Sequence, residues 1–102
     1  MQVIKQLSEY IEDELHDAEK YLNAAFEYKD KRPNLAQVFY ALAEGEMEHM
    51  TNLHKSVVEI IENYRKEKGE PPAAMQAVYD YLHQKHIDKA AKIKTMQAMF
   101  KR

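Results

Sequence analysis

"KDKRPN", residues 29–34, is the first break in a chain otherwise built from strong helix formers, and its reading decides the fold. Pro33 has no amide hydrogen to donate and a fixed backbone angle that suits the first turn of a helix, so it opens a helix here. On either side of it, long stretches place apolar residues at every third or fourth position, the period of an amphipathic helix. A second break, "KGEPP" at residues 68–72, supplies a glycine that can end a helix and a proline pair that can open the next. The spacing predicts three helices, at approximately 3–29, 34–67 and 72–99. The fold class is all-α: a long antiparallel helical hairpin plus a third helix that covers or clamps it.

Composition narrows the function classes. At 102 residues the chain reads as a single domain, 1–102, with a core modest enough that self-association would help bury more of it. A net charge of −2 gives no general electrostatic reason to bind nucleic acid. No apolar stretch approaches the roughly 20 residues needed to span a bilayer, and the amino-terminal residues do not read as a secretory leader. No membrane association and a cytoplasmic address are therefore expected. The absence of cysteine excludes disulfides, thiolate metal sites and a thiol nucleophile, so any metal must be held by oxygen and imidazole. Charge is unevenly spread: residues 1–70 hold 9 Lys/Arg against 15 Asp/Glu, and residues 71–102 hold 6 against 2. The basic end is either a solvated face or docks on an acidic surface of its own or a neighbouring subunit.

Working outward from the turn, Ile4, Leu7, Ile11, Glu14, Ala18, Tyr21, Ala25 and Tyr28 alternate spacings of three and four, the pattern of an inward seam. After the turn the same alternation selects Leu35, Phe39, Leu42, Glu46, His49, Leu53, Ser56 and Ile60, beside a row of Ala36, Ala43, Met50, Val57 and Tyr64. Glu14 lies about as far before the bend as the Glu46/His49 pair lies after it, roughly 25 Å at the helical rise. Seam phase and distance from the turn thus bring two carboxylates and one imidazole to one level inside the hairpin. In the third helix Met75, Tyr79, Leu82, His86, Ala90, Ile93, Met96 and Phe100 form a looser apolar stripe, opposite Lys85, Lys89, Lys92 and Lys94.

An isolated carboxylate in a dry interior costs several kcal/mol, so something must compensate Glu14 and Glu46. A divalent cation does so directly. Carboxylate and imidazole suit iron and manganese, and Glu-x-x-His puts both donors on one helical face. The competing explanation is a metal-free hydrogen-bonded cluster that fixes helix register. His16 and His54 fall off the seams and read as surface; His83 and His86 lack an in-phase carboxylate or cysteine partner and read as no site. The six methionines read as core filler.

"ELHDAEKY", in which Tyr21 follows Glu14 by seven, and "EMEH" about thirty residues on resemble the first helix pair of rubrerythrins and other ferritin-like proteins, most closely the short encapsulated-ferritin type. The resemblance covers roughly residues 7–66. It implies Glu14, Glu46 and His49 as metal ligands, with Tyr21 as a neighbour able to hydrogen-bond a ligand; the alternative for Tyr21 is simple core packing. Full-length ferritins carry two such helix pairs, whereas residues 72–102 contain no glutamate, and only Asp80-x-x-His83 imitates the motif. The resemblance therefore implies a ferritin-like four-helix bundle completed by dimerisation, with two irons, or manganese or another divalent metal, at each dimer interface. The implied activity is ferroxidase-type oxidation of Fe(II) by dioxygen or peroxide, in iron handling or storage. A homo-oligomer of at least a dimer is expected, with a larger ring open. The end "MQAMFKR" does not look like the extension that attaches encapsulated ferritins to a shell. The alternative is a non-catalytic helical interaction or scaffold protein of this fold, with or without bound metal.

Overall fold

Three helices make up the computed structural model, which describes residues 2–102. They are α1, Gln2–Tyr28; α2, Pro33–Lys68; and α3, Ala73–Phe100, each within a residue of its expected ends. α1 and α2 pack along each other as the expected antiparallel hairpin, and α3 packs on α1. Pro33 takes the first position of α2. Just before it, the Arg32 amide donates to the Tyr28 carbonyl at 2.8 Å and the Arg32 carbonyl accepts from the Ala36 amide at 3.0 Å, so one residue closes α1 and starts α2. At the far end Gly69 adopts φ 80°, a left-handed conformation that a side chain would strain, and its amide returns to the Arg65 carbonyl at 3.0 Å. Arg65, Lys66 and Lys68 place positive charge on the carboxyl end of the α2 dipole.

The core lies one row away from the expected seam. On α1 the buried residues are Ile4, Ser8, Ile11, Leu15, Ala18, Leu22 and Ala25. Ile4, Ile11, Ala18 and Ala25 are common to both rows, but Leu7, Glu14, Tyr21 and Tyr28 are only half-buried. On α2 the buried residues are Ala36, Tyr40, Ala43 and Met47, while the expected Leu35, Leu42, His49 and Ser56 are exposed and Glu46 is half-buried. The physical reason is α3. It occupies one side of the hairpin and draws Ser8, Leu15 and Leu22 of α1, and Tyr40 of α2, toward itself, leaving the Glu14 and Glu46 rows on the opposite flank. Alanines 18, 25, 36 and 43 are fully shielded along the α1–α2 contact, where small side chains let the two backbones approach.

The stripe expected on α3 is the one it buries: Tyr79, His86, Ile93 and Phe100 are buried, and Met75, Leu82, Ala90 and Met96 are half-buried. Phe100 stacks on Tyr40 (4.9 Å between centroids, 14°) and meets Phe26 edge-on (5.6 Å, 81°), while Lys29 Nζ donates to the Phe100 carbonyl at 2.8 Å. The last turn of α3 is thereby satisfied and pinned beside the hairpin turn. The lysines expected opposite the stripe instead flank it. Lys85 pairs with Glu12 at 3.1 Å, and Lys89 and Lys92 both pair with Glu19. The basic end of the chain therefore docks on its own acidic first helix. The result is an elongated body, 56 × 19 × 17 Å, and among the described residues no helix is long and apolar enough to cross a membrane.

Candidate metal centre

Glu14 stands near the middle of α1; Glu46 and His49 stand one turn apart on α2, and the hairpin brings all three together. One donor atom from each lies within 4.8 Å of the others. His49 Nδ1 is 3.4 Å from Glu14 Oε2. Counting residues from the turn thus located the cluster correctly, but its surroundings differ from the expected interior. The Glu14 side chain is 25% exposed and that of His49 61%, so the group opens on the flank of the hairpin away from α3.

The electrostatics are those of two acids in one place. Glu46 is pushed up to about 7 from an ordinary value of 4.5, first by a hydrogen bond with Glu14, then by burial and by the Glu14 charge, with Asp17 adding and His49 opposing. Near neutral pH Glu46 is therefore partly protonated, since a second negative charge beside Glu14 is disfavoured. Among the described residues, Glu14 Oε2 is shut off from solvent without a hydrogen-bond partner. An anionic pair with an unpartnered oxygen and an imidazole alongside is a donor set that a divalent cation of the iron or manganese type neutralises.

Tyr21, the fourth expected residue, lies two turns along α1 from Glu14. Its ring stacks on Phe39 (6.4 Å, 22°), which stacks in turn on Tyr28 (6.0 Å, 18°), and among the described residues its hydroxyl makes no hydrogen bond to the cluster. These half-buried aromatics adjoin Leu35, Val38 and Leu42, which are 37%, 54% and 43% exposed. Toward the hairpin turn, α2 therefore continues from Glu46 and His49 into a row of exposed apolar residues. Gly45, between Leu42 and His49, belongs to the same row. A methyl group added there would meet nothing within 4 Å, so nothing in this chain requires glycine at a mid-helix position where it weakens the helix.

Of the histidines read as having no role, His16 is exposed as expected. His54 is half-buried and faces His83 across the α2–α3 contact, and His86 is buried against α1. No periodicity within one helix signals these encounters, because they depend on how α3 crosses the hairpin. Compared with family models, with curated proteins and with solved structures, the chain finds no match.

Proposed function

We propose that Glu14, Glu46 and His49 form half of a carboxylate-bridged two-metal centre, completed by the same three residues of a second copy related by a twofold axis. Two hairpins placed flank to flank would make a ferritin-like four-helix bundle with four carboxylates and two imidazoles around two metals. The observation that carries this reading is the convergence of three donors on one flank of the hairpin, next to exposed apolar residues of α2. The exposed Leu35, Val38 and Leu42 on the same helix would be covered by such a partner. Gly45 adds to it, since a residue without a side chain lets another backbone come close.

The chemistry assigned to the centre is oxidation of Fe(II). When bound there, two ferrous ions would supply the two electrons that reduce dioxygen, with two protons, to hydrogen peroxide, or hydrogen peroxide, with two protons, to two waters. The chain's part is to gather and hold charge. Glu46 would release its proton on binding a cation, Glu14 would offer its unpartnered oxygen, and His49 would supply the nitrogen that favours a transition metal over magnesium or calcium. Stopped-flow mixing of the anaerobic ferrous-loaded protein with air tests the assignment: ferric absorbance develops in the parent and is lost in Glu46→Ala and His49→Ala. A variant that oxidises iron as fast as the parent contradicts it. Association of the flank without any iron oxidation would instead support a helical interaction protein.

A further inference from the structure

On the other side of the hairpin, a cavity of about 220 Å³ lies between the second half of α2 and the first half of α3, floored by Ile4, Ser8 and Ile11 of α1. Its walls carry His54, His83, His86 and Tyr79. The His54 and His83 rings lie 5.0 Å apart between centroids and 13° from parallel. Burial, followed by the charge of His83, holds His54 below the ordinary histidine value. Deeper in, His86 is only 7% exposed, and both its Nε2 and the Tyr79 hydroxyl are shut off from solvent with no hydrogen-bond partner. Glu12 Oε1 stands 3.6 Å from His86 Nε2, too far to satisfy it. Arg65, the cation on the wall, is engaged by Glu70 at 3.3 Å and by Gln76 at 3.2 Å.

We infer that His54 and His83 together bind a zinc-type divalent ion at this cavity, tying α3 to α2. Two imidazoles ligating one ion at about 2.0–2.1 Å place their centroids roughly 5 Å apart, the separation already present. The rings need only turn about their side-chain bonds to aim one nitrogen each at a common point, and both lie near enough to the surface to do so. Asp80, one turn before His83, now accepts from Gln76 at 2.9 Å and can serve as a third donor; water completes the shell. A pair rich in imidazole and poor in carboxylate selects zinc, copper or nickel, unlike the carboxylate cluster across the hairpin. The ion would also supply what this contact lacks. α3 is pinned at its far end by Phe100 and Lys29 and along α1 by lysine–glutamate pairs, whereas here the His54–His83 stack and the Arg65–Gln76 hydrogen bond reach across to α2 beside an open cavity.

Zinc titration calorimetry and thermal melts on the full chain test this, in a His49→Ala background that disables the carboxylate cluster. One zinc per chain and a higher melting temperature are expected. His54→Phe, which keeps a stacking ring without a donor, and His83→Ala, which leaves an exposed helical position intact, should each weaken zinc binding at least about tenfold and abolish the thermal shift, with unchanged helicity by circular dichroism. Cobalt(II) substituted for zinc should give visible bands that disappear in both variants. Zinc uptake and melting unaffected by either substitution, or no zinc bound once His49 is gone, would overturn the inference.

Discussion

Glu46 carries the clearest residue-scale consequence. Its folded value of about 7 lies above the ordinary 4.5, so it contributes stability below pH 4.5 that is lost as pH rises toward 7. Glu46→Gln, an amide in place of the protonated acid, removes that loss. In metal-free protein at pH 8 the variant should be more stable than the parent by on the order of 1 kcal/mol after solvent screening, and the difference should vanish near pH 4. Urea unfolding at the two pH values measures it, and equal stabilities at pH 8 would contradict the raised value of Glu46. His54 and His86 act with the opposite sign: held below the ordinary 6.5, they contribute stability above that value which is lost as pH falls through their folded range. The comparison must therefore be between variant and parent at each pH. Gly45→Ala separates two effects at one position. It should raise the stability of the isolated fold by about 0.5–1 kcal/mol through helix propensity and weaken self-association; a more stable variant that associates as tightly as the parent would remove glycine's role in the flank.

Among the elements, the looser stripe of α3 is the one the structure buries, whereas the sharper α1–α2 seam lies one row away from the buried face. A helix that rests on its neighbours with one face writes that face as a stripe of period 3.6, and all eight residues of the α3 stripe are buried or half-buried. α1 meets α2 on one side and α3 on another. Its apolar surface is wide enough to hold two adjacent rows, and periodicity alone does not say which row faces the chain's own third helix. The row containing Leu15 and Leu22 does; the row containing Glu14 and Tyr21 lies at the margin. The depth of Glu14 against Glu46 and His49 was legible because it needs only the turn and the helical rise. The His54–His83 encounter was not, since it is set by long-range packing. Ile93, wholly buried where α3 meets the core, tests this assembly: Ile93→Ala should cost about 2–5 kcal/mol, read by chemical denaturation. A cost below about 0.5 kcal/mol, within the usual range of a surface substitution, would mean that α3 does not dock as described.

At the scale of the whole molecule, one copy buries one side of its hairpin and leaves the other open. α3 covers the Leu15 and Leu22 side, and the strip of Leu35, Val38, Leu42 and Glu14–Glu46–His49 has nothing over it. On the proposed reading, self-association through that strip and metal capture at it should strengthen each other, because a second copy would complete the coordination shell and a cation would neutralise the acids that the interface would otherwise bury. Cation uptake should also weaken about tenfold for each pH unit below 7, as Glu46 gives up its proton to bind. Equilibrium dialysis against Mn(II) across pH 5.5–8 measures this slope, and a flat profile would show that Glu46 is not a ligand. The most direct measurement is native mass spectrometry of the protein loaded anaerobically with Fe(II). The account predicts a dimer, or a multiple of it, with one iron per chain that is absent from Glu46→Ala; a bare single chain, or iron retained undiminished by the variant, would contradict it.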